Sequence, residues 1–500
     1  MKGTVIFTFL FLVFLTFIPV QAYHQSSQNQ LAEIVLSEAV EVQEAIVASE
    51  REDTDALLEE VRQLLQYHHI DQPGAAILQH NSIDEILEAL GDPYTSYLTP
   101  EEEQALLDSL NLNYAGIGMV ITQIDDYPVV DRVFPDSPAE KSGIGKGDTI
   151  LQVDDLLTKG VTTDLVASQV RGPEGTSVTM RLNNSRTGEP YELTMTRERI
   201  SIPQAEGEIV GESIGYIRLY SFGEQAGEDF ANVYNDLIEQ GMEKLLLDLR
   251  GNGGGSMTAA QSIGDFLLPE GTLYYLIYND GDKSIFRTEG SETILPMAVL
   301  IDHHTASAAE LLSAALQERS QALLIGSNSF GKGSVQSLFP LESGGVLKAT
   351  IARYQSPQGR MIDQVGLAPD LPVSTRSLQL LRAKEVLEPP TQRELRLYLD
   401  RPEAVLSGKE FFIEQAPMIR EDRAYLPLRF LIEALGGVAS HDEDREEALV
   451  LFQGRSLTLS LQSLPVQEDR AFAPLRLISE ELGYQVEYKE ENREIVVILP

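Results

Sequence analysis

The sequence predicts a multidomain protein of mixed class, α+β and α/β: a helical N-terminal arm, a small β-domain, an α/β core and a repeated α+β module at the C-terminus. Three observations carry this reading. Hydrophobic periodicity is helical up to about residue 112 and then changes to short strands. Across 199–390, near-continuous apolar strands alternate with helical stretches, the pattern of a sheet covered on both faces. In the tail, over 405–500, EDRAYLPLRFLIEALGG from Glu421 recurs as EDRAFAPLRLISEELGY from Glu468, a period of 47 residues.

Composition narrows the function. The 500 residues hold 77 acidic and 38 basic side chains, a formal charge of −39 that argues against nucleic acid or an anionic membrane surface as partner. There is no cysteine, so disulfides, thiol catalysis and cysteine metal sites are excluded. His68-His69 and His303-His304 are adjacent in the chain, a poor spacing for two ligands on one helical face, and no metal site is expected. Lys2 precedes an uncharged apolar run from Val5 to Val20, with small residues in Val20-Gln21-Ala22. Residues 1–22 read as a signal peptide or a retained membrane anchor, and either sends the chain out of the cytoplasm.

Over 23–112, Leu57, Leu58, Val61, Leu64 and Leu65 share one helical face. Ser82 with Glu85 forms a helix start, Gly91 and Pro93 end that helix, and Thr99-Pro100-Glu101-Glu102 opens another. This region is expected to be a helical arm with no chemistry of its own. Over 113–198 come GIGMVITQI, PVVDRVF, DTILQVDD and SVTMRLNN, interrupted by short helices at Ser137-Pro138 and TTDLVASQV. A small sheet with an open edge beside a helix captures peptides by strand addition, and the turn Ala115-Gly116-Ile117-Gly118 could offer its amides to a terminal carboxylate. The alternative is a plain β-turn. In the core, the run Gly251 to Gly255 after KLLLDLR is too compact for G-x-G-x-x-G; it reads as a strand-to-helix turn or as backbone set close to a substrate oxygen. In the tail, Arg429 and Arg476 recur in register and read as salt-bridge formers.

GSNSFGKGSVQ, residues 326–336, matches G-x-x-x-x-G-K through Gly326, Gly331 and Lys332. A phosphate loop needs Ser or Thr after the lysine and a helix opening there. Here Gly333 follows and VQSLF reads as a strand. A lysine at its ordinary pKa of ~10.4 is neutral only roughly once in 2,500 at pH 7, but desolvation lowers that pKa and makes a general base. Thr305-Ala306-Ser307-Ala308-Ala309-Glu310 offers the nucleophile. Ser307 falls in the first turn of a helix with Thr305 as its expected N-cap, where the Ala308 N–H is free to donate to an oxyanion. An extended 332–336 would put Lys332 and Gln336 on one side, so that the Gln336 carbonyl orients the amine. Two alternatives stand beside this: a helix-start serine with no chemistry, and a serine–histidine pair with His303 or His304, for which no G-x-S-x-G elbow exists.

Taken in order, DPYTSYLTPEE, the stretch from YAGIGM to VRGPEGTSV, LLLDLRGNGGG, TASAAE and FGKGSVQ resemble the C-terminal processing peptidases, the carboxyl-terminal or tail-specific proteases of Ser–Lys type, over roughly residues 80–375. The resemblance implies a serine endopeptidase with Ser307 as nucleophile, Lys332, 25 positions on, as base and Gln336 as the orienting residue. It further implies an oxyanion hole from the amides of Ala308 and Gly254 and a PDZ-like domain over 113–198. That domain would bind a substrate C-terminus near Ala115, Gly116, Ile117 and Gly118, and Arg171 matches a basic residue implicated in gating. Family members usually carry Asn and Gly where Asp302 and His304 stand, and often Pro at Gly253. The tail is similar to the copper amine oxidase N-terminal-like stalk repeat of exported Gram-positive proteins; the name implies no copper, and His441 is the tail's one histidine. The expected protein is an extracytoplasmic endopeptidase of the bacterial cell envelope, needing no cofactor and acting on proteins with unstructured apolar C-termini. An N-terminal membrane anchor, a homodimer and cell-wall contact through the tail are part of that picture. The rival is a non-catalytic envelope scaffold that binds peptides.

Overall fold

Two sheets frame the core, and the linkers to the other modules leave from their edges. The computed structural model describes residues 55–498 except 292, 293, 320, 343, 400, 443, 444, 453, 468 and 469. The signal or anchor reading of residues 1–22, and the start of the arm, lie outside the described residues.

The first sheet has six strands in the order Ala205–Val210, Ile214–Leu219, Lys244–Asp248, Met297–Ile301, Ala322–Gly326 and Leu371–Pro372. The first pair is antiparallel and the rest are parallel. Because successive side chains alternate across a strand, Leu245, Leu247, Val299 and Ile301 face the helices Ala226–Glu239, Met257–Leu267 and Ala308–Glu318. Leu246, Ala298 and Leu300 face the other way, onto the helix Arg376–Leu387 and the tail. The near-continuous apolar runs are thus the mark of two covered faces. The second sheet is antiparallel: Val346–Gln355 pairs with Ser334–Pro340, Ser96–Leu98 and Gly271–Tyr278, and the last of these pairs with Lys283–Thr288.

The small domain is a sheet in the order Met119–Ile124, Tyr127–Val133, Thr149–Val153, Ser177–Asn183 and Pro190–Thr196, around Ile117, Val130, Ile150, Met180 and Leu182. Met119–Ile124 is its outer strand, and the helix Thr163–Val170 packs beside it. A two-stranded ribbon, Asn113–Gly116 against Glu198–Ser201, joins this domain to the core.

The tail module starts before its repeat. Glu394–Tyr398 pairs with Glu494–Ile498 and closes the module on itself. The repeated strands Arg423–Pro427 and Arg470–Pro474 pair antiparallel with Leu426 opposite Ala473, its own equivalent 47 residues on, so the two copies meet about a local two-fold. Each then enters a short helix, Leu428–Ala434 or Leu475–Glu481. The buried Glu433 reaches out of the first helix to accept the N–H groups of Ser374 and Thr375, both at 2.8 Å, which fastens the tail to the core.

The fully buried Leu247 tests this core. Leu247→Ala should cost about 2–5 kcal/mol through lost burial and a residual cavity, read as a lower urea midpoint for the core transition.

Candidate active site

The strand Met297–Ile301 delivers a tight turn, Asp302 to Ser307, whose polar side chains are used to shape the backbone. Asp302 Oδ1 accepts the N–H groups of Gly251 and His304, each at 3.0 Å. Thr305 Oγ1 accepts the Asp302 N–H at 2.9 Å and donates to Leu249 O at 2.8 Å. Thr305 is therefore consumed inside the turn, and the N-cap of the helix Ala308–Glu318 is Ser307 instead. The Ser307 backbone has φ 55° and ψ −120°, outside the ordinary allowed regions for a side-chain-bearing residue.

The glycine loop lies directly against this turn. A Cβ on Gly254 would fall 2.7 Å from Ala306 O, 2.8 Å from Ser307 Cβ and 2.9 Å from Ala308 N, and Gly254 has φ +93°. The Ala308 N–H, at the first helical position, has no partner among the described residues. The Gly254 N–H differs from expectation: it donates to Asn252 Oδ1 at 2.9 Å, because Asn252 is buried with its amide nitrogen anchored 2.8 Å from Leu219 O. One of the two expected oxyanion amides is free, and the other is tied down.

Lys332 arrives on the turn before the strand Ser334–Pro340. The fully buried Glu310, three residues after Ser307, holds both loops. Its Oε2 accepts the Ser307 N–H and the Lys332 N–H, each at 2.9 Å, and its Oε1 accepts the Gly331 N–H at 2.7 Å and the Ser329 hydroxyl. The buried Tyr354 hydroxyl lies 2.7 Å from Lys332 O and 3.1 Å from Ser307 O. Two side chains thus bridge the backbones of residues 307 and 332. The same contacts overturn the phosphate-loop alternative: the anion cradled by Gly331 and Lys332 is the protein's own carboxylate, and Gly326 ends a strand.

The Lys332 ammonium sits 4.7 Å from the centre of the Tyr94 ring. Burial and, next, the like charge of Lys348 push the Lys332 pKa below its usual value, against the opposing pull of Asp92 and Glu310. The arm, expected to have no chemistry, thus covers the lysine with Tyr94. It is latched there by Asp92, which accepts the Tyr94 N–H at 3.0 Å and the hydroxyls of Thr95 and Thr350, each at 2.6 Å. His69 Nε2 lies 3.2 Å from the same carboxylate, and His69 Nδ1 accepts the Asp71 N–H, so Nε2 carries the proton. Burial acts to raise the Asp92 pKa, but these hydrogen bonds outweigh it and hold the carboxyl well below the usual range.

Gln336 is placed differently from expectation. The strand begins at Ser334, not at Lys332, and its register shifts between Val335 and Gln336, which breaks the alternation assumed for residues 332–336. The Gln336 amide nitrogen donates to Ser334 Oγ at 3.0 Å and Thr350 Oγ1 at 3.2 Å, and no hydrogen bond joins its side chain to Lys332 among the described residues. His303 and His304 are exposed, with ring centroids 3.9 Å apart, and neither hydrogen-bonds to Ser307. Among the described residues no three His, Asp or Glu side chains converge to hold a metal ion.

In the small domain, Ala115 and Gly116 end the ribbon strand, while Ile117 and Gly118 turn the chain into the outer strand Met119–Ile124. The Ile117 and Gly118 carbonyls accept the N–H groups of Ala139 (2.9 Å) and Phe134 (3.0 Å). The Arg171 guanidinium lies 5.2 Å from the centre of the Tyr114 ring, one residue before this turn.

Sequence reasoning missed Glu310, Tyr354, Tyr94 and Asp92. Only Glu310 had a local signal, the S-x-x-E spacing from Ser307; the others come from distant segments. Glu310→Gln keeps the shape but replaces one acceptor oxygen by a donor group. It should lower kcat by on the order of 10²-fold, and Tyr354→Phe should lower it by a smaller factor, both with near-native circular dichroism; unchanged kcat in both would show that the clamp is idle.

Comparison with known proteins identifies the family. The family model described as Peptidase family S41 matches residues 213–373, the PDZ domain model matches 108–183, and the copper amine oxidase N-terminal domain model matches 384–450. The chain is 35% identical over 298 residues to the carboxyl-terminal-processing protease of Synechocystis sp., covering 58% of this chain and 70% of that one. It is 30% identical over 296 residues to the carboxy-terminal processing protease CtpA of Bacillus subtilis, covering 59% and 63% respectively. A solved structure titled photosystem II D1 C-terminal processing protease shares 26% identity, with a TM-score of 0.43 over 65% of this chain and 95% of that one. The chain belongs to the carboxyl-terminal-processing proteases of peptidase family S41, which are serine-type peptidases.

Proposed function

We propose that this protein is an exported endopeptidase that grips unstructured, apolar protein C-termini and cleaves them with Ser307 and Lys332. The observation that carries this is the double bridge from Glu310 and Tyr354, which sets the backbones of these two residues side by side. Neutral Lys332 takes the proton from Ser307 Oγ as that oxygen bonds to the peptide carbonyl carbon. The Ala308 N–H donates to the resulting oxyanion. Lys332 then passes its proton to the leaving amine as the C–N bond breaks and the acyl-enzyme remains. Water attacks the ester with Lys332 again taking the proton, releasing the new carboxyl end and Ser307. With Gln336 hydrogen-bonded to Ser334 and Thr350, its role is to brace the lysine turn through Thr350, and a Gly254 amide contribution to the oxyanion hole requires Asn252 to swing away.

The substrate tail adds to the open edge of Met119–Ile124 beside the helix Thr163–Val170, with its carboxylate at the Ala115–Gly118 turn. Arg171, stacked on Tyr114 at the foot of that turn, is positioned to report occupancy to the core. The apolar run near the N-terminus supports an extracytoplasmic location at the bacterial cell envelope, by export or by anchoring. The tail module supports contact with the wall or pairing into a homodimer.

The test is degradation of an unfolded protein with an apolar C-terminus. Ser307→Ala and Lys332→Ala should each abolish cleavage while folding normally; survival of Lys332→Ala would remove the lysine from the mechanism. Because neutral lysine is the active form, kcat/KM should rise with pH through the Lys332 pKa. Lys348→Glu removes the like charge that depresses this pKa, so the acid limb of the profile should move to higher pH; an unmoved limb assigns it to another group.

A further inference from the structure

The two tail repeats differ at one place that bears on binding. In the second copy, Arg476 pairs with Glu480 four residues on, at 3.3 Å. In the first copy the equivalent acid is Glu433, but its carboxylate is turned into the interior to accept the Ser374 and Thr375 amides. Arg429 is left exposed with no acidic partner among the described residues, contrary to the salt-bridge role expected for it. It lines a cleft of about 490 Å³, within the range usual for ligand sites, about 300–1,000 Å³. Leu428, Phe430, Ala439, Ala448 and Leu461 supply apolar walls, and Ser374 and Thr375 lie at its core side. Of the other charged groups in the lining, Arg470 is already paired with Glu414 at 2.9 Å, and His441 is exposed.

One wall is a strand. Ala439, Ser440 and His441 belong to Val438–Asp442, the outer strand of its sheet, paired among the described residues on one side only, with Glu447–Phe452. The helix Leu428–Ala434 packs beside it. The exposed guanidinium of Arg429 has no acidic partner among the described residues, and its planar fork suits a carboxylate held bidentately. An outer strand offers a row of backbone groups that another extended backbone can satisfy. We propose that this cleft is a second binding site for an extended apolar peptide tail, its free C-terminal carboxylate on Arg429 and its backbone along Val438–Asp442. The tail module would then hold a substrate's end apart from the small domain. The substrate class rests on the proposed function, but occupation of the cleft does not depend on Ser307 being the nucleophile.

The test uses the full chain carrying Ser307→Ala and a synthetic apolar peptide with a free carboxylate and a photoreactive residue near its end. Cross-links are mapped by mass spectrometry. Label is expected at the 115–118 turn and, separately, in segments 427–441 and 461–471. Adding Arg429→Ala should weaken the cleft label at least about tenfold and leave the turn label in place, and a C-terminally amidated peptide should lose the cleft label in the same way. Label confined to the turn, or cleft label indifferent to both amidation and Arg429→Ala, would overturn the proposal. Cleavage of the peptide by the Ser307→Ala chain would instead count against the proposed nucleophile and leave the cleft result readable.

Discussion

The arrangement of the active region depends on one buried carboxylate. Glu310 takes two backbone amides from the lysine turn, one from the serine turn and a hydroxyl from Ser329. Burying a charge costs several kcal/mol unless hydrogen bonds replace the lost water, and here four donors do so. Any shift of either loop would strip a donor from a group that cannot be rehydrated. The relative position of the Ser307 and Lys332 backbones is therefore stiff. The G-x-x-x-x-G-K stretch is an anion cradle after all, and its anion is internal.

The state of the lysine follows from a balance of nearby terms. Burial and Lys348 favour the neutral amine, while Asp92 and Glu310 favour the ammonium. Tyr94 enters both sides, since its ring excludes water yet presents a face that attracts a cation. Because Tyr94 and Asp92 belong to the arm, the basicity of Lys332 depends on the arm being docked. Thr350 is the common fastening point: its hydroxyl donates to Asp92 and accepts from Gln336, and its N–H donates to Thr95. The arm, the lysine strand and Gln336 thus form one polar network.

The tail is continuous with the core in a physical sense. Leu246, Ala298 and Leu300 of the central sheet share an apolar cluster with Leu395, Leu431 and Val497 of the tail, and Glu433 adds two hydrogen bonds across the junction. A module that merely extended from the core would bury little against it. This one closes the second face of a parallel sheet, which that sheet cannot leave exposed.

By itself the sequence determined the order of modules, the two-faced core sheet and the tail repeat. Each of these is written in local periodicity or in short motifs, where neighbours in the chain are neighbours in space. Even the starts of the helices at Ser82 and Thr99 were legible, because a cap needs only its own first turn. Tertiary structure decided the rest. Thr305 looks like a cap, but Leu249 and Asp302 claim its hydroxyl, so Ser307 takes the cap position and a strained backbone. Gln336 looks aimed at Lys332, but a register shift intervenes and its amide nitrogen is taken up by Ser334 and Thr350. Tyr94, far from the lysine in sequence, brings its ring within 4.7 Å of the Lys332 ammonium, and Glu433 abandons the arginine its repeat position would give it. In every case the deciding partner lies on another segment, and a competition between local and distant hydrogen bonds is settled only when the chain has folded.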